Sequence, residues 1–372
     1  MSGGDGIPFS CDPPEASPAT PGFVTPTQAA TLQAQGVIRS LVRLTREVRT
    51  DGSLNLPDGK TVAYWSFSDG TQRNPYPSPV IRATERDLVQ VAMHGSHGPH
   101  TIHHHGIEPD AFNDGVGHTS FEANDYTYQF QPHHAGTFIY HCHRNTTLHF
   151  QQGLWGPMVF DPDPALDPAA PAGFRRLFVH GPLYRIANER IWGVSAIDPR
   201  WHNYDHQAGL CGEDVGLNDF RPQYFLINRA AQPRGLITPA DPITNDRPAI
   251  TASNVTVTAP SGDPILLRII CATYFPIQVR FGADAAPVTA EECSSDGRPF
   301  RTTTDYKGST AGATTAGLVN QIVMSPAERY DLLINTQSHP LAPGVYPITI
   351  LQRHWLDSAR VVGLSKTQVT IT

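Results

Sequence analysis

The chain has 372 residues, enough for two ordinary domains or one large one, each with a packed core. Its 34 acidic and 27 basic residues give a net charge of -7 with no basic run, which removes the electrostatic case for nucleic acid or an anionic membrane as partner. No apolar stretch approaches the roughly 20 residues that cross a bilayer, so no membrane span is expected.

Residues 1–36 are rich in Pro, Ala, Thr and Gln and read as a loop-rich arm draped on the core. Their opening run lacks the apolar segment of a secretory signal, so a signal was either removed or never there. From Val37 onward the pattern is all-β: short alternating or β-branched runs between Pro, Gly, Asp and Asn turns. Val89–Met93, Tyr126–Phe130, Asn254–Thr258, Asp331–Ile334 and Thr367–Ile371 are examples, and the spacing indicates sandwiches or barrels. Residues 161–173, dense in Pro, Asp and Ala, read as a semi-rigid linker. The chain is therefore divided into an arm (1–36), a first domain (37–165) and a second domain (166–372). Between Trp192 and Arg247 the sequence supports no assignment beyond loop-rich.

Histidine is the most unevenly placed residue: 12 of the 17 lie from His94 to His149, interleaved with strand-like residues rather than run together as a tag. Clustered His with a Cys is a recurring ligand set for a transition metal. In a strand, side chains alternate, so His103 and His105 share one face and His104 takes the other. The same holds for His141 and His143, with Cys142 pointing the opposite way. If the two strands are neighbours, four imidazoles converge on one side of the sheet and a thiolate emerges on the other. His100 and His149 stand just outside the strands on the Cys142 side. Two His and one Cys in a trigonal set describe a blue-copper electron-transfer site. His94, His97, His118, His133 and His134 read as solvated loop residues. His202 and His206 flank Asp205 and are weighed as caps of a subunit interface, with an ordinary structural role favoured; Trp155 reads as core.

Five cysteines leave one unpaired in an oxidising compartment, and Cys142, between histidines, is that one. Cys271 with Cys293 and Cys11 with Cys211 are the expected disulfides, against the alternative of four buried thiols. If both bridges exist, the protein is exported.

Residues 101–160 resemble the first cupredoxin domain of multicopper oxidases. The residues that carry the likeness are Ile102-His-His-His-Gly106, Asp114-Gly115-Val116, Tyr126-Thr-Tyr-Gln-Phe130, Gly136-Thr-Phe-Ile-Tyr-His-Cys-His143 and Gly153-Leu-Trp-Gly-Pro-Met-Val159. Upstream, Ser78–Arg82 and Asp87–Val91 look like the two strands that precede the first His-x-His. Downstream, Leu226-Ile-Asn228, Leu266-Leu-Arg268 and Pro326–Asp331 look like the family's second domain, so the resemblance covers about residues 37–372. It implies two cupredoxin-like Greek-key β-sandwich domains in tandem.

By the same resemblance, His100, Cys142 and His149 are the type 1 copper ligands, with Leu154 in the axial position and unable to coordinate. His149 lies seven residues after Cys142 where the family usually has five, and copper nitrite reductases tolerate a longer gap still. His103, His105, His141 and His143 match the first-domain half of a trinuclear cluster of type 2 and type 3 copper, which needs eight histidines. The second domain contains only His180, His202, His206, His339 and His354, none as His-x-His. A partner chain, or a homo-oligomer such as a trimer, would have to complete the site. On the nitrite-reductase template His105 and His141 carry over, His103 stands where that family has an Asp, and no third His is visible. Asp114 is either a proton donor near the metal or a turn residue before Gly115.

Three functions follow. The first is a copper oxidoreductase taking single electrons from a small reductant or an electron-donor protein and passing them through His-Cys-His to a second copper site. Dioxygen is its expected acceptor and nitrite the runner-up. The second is an electron-transfer or copper-binding protein using the blue site alone, and the third a noncatalytic assembly or copper-resistance protein. A periplasmic or secreted location is expected.

Overall fold

The computed structural model describes residues 23–95, 98–107, 109–117, 122–166, 170–233, 248–283, 285–300 and 317–372. The chain folds into two cupredoxin-like β-sandwiches in tandem. Its arm is partly helical: α1 (Pro26–Ala34) starts at Thr25, whose hydroxyl accepts from the Gln28 backbone while the Gln28 side chain accepts from the Thr25 backbone. Pro26 at the first helical position needs no backbone donor. Ala29 then packs with Ile38 and Leu88, which ties the arm to the first sandwich.

Among the described residues the first sandwich has eight strands, β1 (Leu41–Asn55), β2 (Thr61–Ser68), β3 (Ile81–Thr84), β4 (Leu88–His94), β5 (His103–His105), β6 (Asp125–Phe130), β7 (Gly136–His141) and β8 (Trp155–Asp161), with α2 (Thr146–Gln152) between the last two. One sheet runs β2-β1-β4-β6 and the other β3-β8-β7-β5. β3 and β4, successive in sequence, lie in different sheets, because Arg86 takes a left-handed φ of 67° and turns the chain between layers. β6 alternates exposed and buried positions, as a strand with one wet face must. β7 is buried at every position. Its even-numbered face supplies Phe138 and Tyr140 to the first core, and its odd-numbered face turns Ile139 toward the second sandwich.

The second sandwich pairs a long sheet, running through Ala230–Pro233, Tyr224–Ile227, Glu189–Ile197, Ile265–Ala272, Arg329–Ile334 and Ala290–Ser295, with one containing Val257–Ala259, Val361–Ile371, Gly344–Arg353 and Ile277–Ala283. The stretch from Trp192 thus holds strands that its polar, turn-rich composition concealed. A third cluster belongs to both sandwiches: Tyr64, Tyr76, Ile139, Phe150 and Trp155 meet Ile197, Tyr224, Leu226, Ile270 and Ala272.

The expected Cys271–Cys293 bridge is absent. Both are buried free thiols. Cys271 faces the second core with Ile269 and Leu267, whereas Cys293 packs with Leu266 and Leu333 on the other side of the same sheet. Cys211 is disulfide-bonded, and its expected partner Cys11 lies outside the described residues. No helix among the described residues is long and apolar enough to cross a membrane.

Candidate metal centre

Two sets of donors lie on opposite sides of one strand. β5 and β7 are antiparallel neighbours, with His103 opposite His141 and His105 opposite Ile139. Strand alternation then sends Cys142 into the first core and the histidines to the other face.

On the core side, Cys142 Sγ lies 3.3 Å from His149 Nδ1 and 3.7 Å from His100 Nδ1. All three side chains are fully buried, and so is Leu154. Their placement is tertiary. His100 is held by a bridge to Ala123, and Cys142 by its amide, which donates to Leu154 O at 3.0 Å. His149 sits on α2. That helix absorbs the two extra residues between Cys142 and His149: it starts from Asn145 in the left-handed region, which Asn tolerates, and ends at Gly153 in the same region. Burial pushes the Cys142 thiol up to about 11 and drops His149 to about 3, with the nearby His206 adding to the latter. Neutral imidazoles offer lone pairs, and a bound cation would hold the sulfur as thiolate. A soft sulfur and two imidazole nitrogens converging within 4 Å in a dry pocket fit a copper ion.

On the other side, the His103 ring lies 5.3 Å from His105, 5.3 Å from His141 and 5.2 Å from His143 by ring centroids. Ligand atoms of His103, His105 and His141 all fall within 4.8 Å of one another. A backbone carbonyl can only accept, so the proton positions are set: His103 Nδ1–H donates to Asp114 O at 2.7 Å and His141 Nδ1–H to Cys142 O at 2.9 Å. Both leave a lone pair on Nε2 that a metal could take, His141 Nε2 lying 3.5 Å from His105 Nδ1. Burial first, and then the charge of Arg329, lowers His105 to about 4. Burial and the neighbouring His103 keep His141 well below the usual imidazole range. The Asp114 carboxylate stands 3.3 Å from His103 Nδ1, half-buried. It is close enough to orient that ring, while its backbone makes the turn.

Gly115 follows at φ +70°, and a Cβ there would stand 2.0 Å from Ile102 O. Gly115→Ala is therefore expected to cost more than the roughly 1–2 kcal/mol of a left-handed alanine and to displace β5. Copper retention at the four-histidine face should fall with it, measured as metal per chain beside a urea midpoint; a variant matching the parent in both would refute this.

The described part of the His103 set draws its ligand atoms from the first sandwich alone. From the second, Arg329 comes close: its charge acts on His105, and its Nη2 would be 2.7 Å from a Cβ at Gly106. His94 pairs with Asp125 at 2.7 Å, and His133 and His134 are exposed. His97 and His118 lie outside the described residues. Trp155 is core, 1% exposed. His202 is buried against Ala63 O. His206 departs from the expectation of an ordinary structural residue: its ring centroid is 4.8 Å from both His100 and His149. It reaches the Cys142 centre from the second sandwich of the same chain, not across a subunit interface. Only its spacing from His202 singles it out in the sequence.

Comparison with known proteins agrees with this chemistry. A family model described as multicopper oxidase matches residues 59–165. Laccase-1 of Cryptococcus neoformans is 27% identical over 280 residues, covering 71% of this chain and 38% of that protein. The multicopper oxidase MmcO of Mycobacterium tuberculosis is 25% identical over 309 residues, 76% of this chain and 49% of its own length. The chain thus spans less than half the length of these two relatives. Among solved structures, a blue copper oxidase from Nitrosomonas europaea superposes with a TM-score of 0.59 at 20% identity, covering 89% of this chain and 86% of that one. A copper nitrite reductase from the same organism gives 0.55 at 16%, covering 90% and 94%. At these identities the superpositions establish the fold.

Proposed function

We propose that this chain, whose residues 59–165 match a multicopper oxidase family model, is a copper oxidoreductase that takes electrons singly at a type 1 blue site of His100, Cys142 and His149. The observation that carries the reading is the approach of Cys142 Sγ to two buried imidazole nitrogens at 3.3 and 3.7 Å. Copper bound there would supply a one-electron acceptor, and the buried Leu154, which can offer no side-chain ligand, would favour a high potential. The chain's own part is to hold that geometry dry and to couple it onward. Cys142 is bonded through the backbone to both His141 and His143, whose rings lie on the far face, so an electron leaving the sulfur needs no gap to reach the second set.

There His103, His105, His141 and His143 form the half-site for type 2 or type 3 copper, with dioxygen as acceptor and Asp114 as the nearest carboxylic proton donor. A partner chain, as in a homo-oligomer such as a trimer, would complete it. The nitrite-reductase reading is kept beside this one because the described His103 set receives no imidazole from the second sandwich. The division into a copper-binding unit at 37–165 and a second unit at 166–372 belongs to this reading, and so does a periplasmic or secreted location, which the bonded Cys211 supports.

Metal content and spin resonance test the proposal. One copper per chain with a narrow hyperfine splitting means electron transfer alone, and two mean the mononuclear arrangement. More, appearing only in an oligomer, mean a completed cluster. A fully loaded, oxidised and colourless protein would refute the blue site.

A further inference from the structure

Electron transfer weakens steeply with distance, so a donor reacts fastest when it can lie close to the ligands of the accepting centre. At the Cys142 centre no such approach to a ligand is open, because His100 and His149 are both fully buried. What covers them is a strap from the second sandwich, residues 201–208, that follows the strand Glu189–Ile197. The strap is tied down along its length. Gln152 Nε2 donates to Trp201 O at 3.2 Å and Tyr204 O at 3.1 Å, His202 Nδ1 donates to Ala63 O at 2.6 Å, and Asn145 Nδ2 donates to Ala208 O at 3.0 Å.

Within it His206 makes two separate contacts with the centre. Its backbone carbonyl accepts from His149 Nε2 at 3.0 Å. That puts the proton of His149 on Nε2 and leaves Nδ1, the atom facing Cys142, with its lone pair. Its half-buried ring lies 4.8 Å from each ligand ring and stacks on Trp65 at 6.0 Å. His100 and His149 are fully buried and His206 is half-buried; its Nε2 is covered, and a ring nitrogen of each of the three lies within 4.8 Å of the others.

We propose that His206 is the selectivity residue for electron donors: its carbonyl orients His149, and its ring bars bulky organic reductants from the ligand imidazoles. A compact outer-sphere donor passes one electron across that ring and is oxidised by one unit, while the Cys142 centre is reduced by one. A bulky phenol finds both ligand rings buried and is held outside the strap.

This rests on the blue-site reading, and the test separates the two. His206→Ala keeps the carbonyl and removes the ring. In anaerobic stopped-flow mixing of the copper-loaded protein, bleaching of the visible band by 2,6-dimethoxyphenol is expected to speed up at least about tenfold, a change of over 1.4 kcal/mol in barrier. With hexaammineruthenium(II) the rate should stay within about threefold of the parent. The band position should not move, and His206→Phe, which restores a ring, should restore the slow phenol reaction. Equal factors for both donors, an unchanged phenol rate, failure of Phe to restore it, or loss of the band on removing the ring would each overturn the assignment. A parent protein without a visible band would instead refute the blue site itself.

Discussion

Cys142→Ser is expected to yield a folded, copper-binding protein without an intense visible band. The band of a blue site is charge transfer from a thiolate, and Cys142 is the free cysteine placed to supply one: Cys271 and Cys293 are buried in other cores. Burial above all pushes its thiol up to about 11, so a thiolate there would need a bound cation to hold it. A serine hydroxyl cannot be ionised in this way at neutral pH. It is nearly isosteric, however, and after a small shift its hydroxyl can donate to the nearer imidazole nitrogen, which lies 3.3 Å from the sulfur it replaces. The loss of stability should therefore stay within the roughly 1–3 kcal/mol of a poorly matched buried polar group. Copper at the four-histidine face should survive, visible by spin resonance as a signal with a wide hyperfine splitting. A variant that keeps the band would remove Cys142 from the ligand set.

The second large effect concerns stability. Arg268 is fully buried, with Nε 2.6 Å from Glu189 and Nη1 3.2 Å from Asp331. Nη1 also donates to Thr137 Oγ1 of β7 at 2.9 Å. Against burial, which raises it, the charges of Arg268 and Arg82 hold the Glu189 carboxyl down to about 2. Arg268→Met fills most of the volume but leaves Asp331 without its cation in a dry interface. Such a loss typically costs about 3–5 kcal/mol. The urea midpoint should fall accordingly, and a change below about 1 kcal/mol would mean that Asp331 takes up a proton or water at little cost.

Much of this was legible in the sequence because it is local. Strand alternation alone separates Cys142 from His141 and His143, and β6 forms where its pattern placed it, while β7 ends at His141, just short of Cys142 and His143. Three features were not. α2 is seven residues long, too short for a helical period to stand out, yet it brings His149 back to Cys142. Cys271 and Cys293 are near in sequence, but nearness says nothing about which side of a sheet each faces. His206 belongs to the centre only because the second sandwich folds its strap over the first, a contact between residues more than fifty positions apart in the chain.

The cluster shared by the two sandwiches has a consequence for how such a centre can be inherited or engineered. Ile139 and His141 project from the same face of β7, so the surface that presents the metal ligands continues directly into the surface that is glued to the second sandwich. Cutting the chain at the proline-rich segment would not release a small blue protein. It would uncover Ile139, Phe150 and Trp155 as an oily patch beside the histidines, and such a fragment would self-associate or collapse. The ligands belong to one half of the molecule, but their solubility is lent by the other, so the two sandwiches can diverge in sequence only as a matched pair.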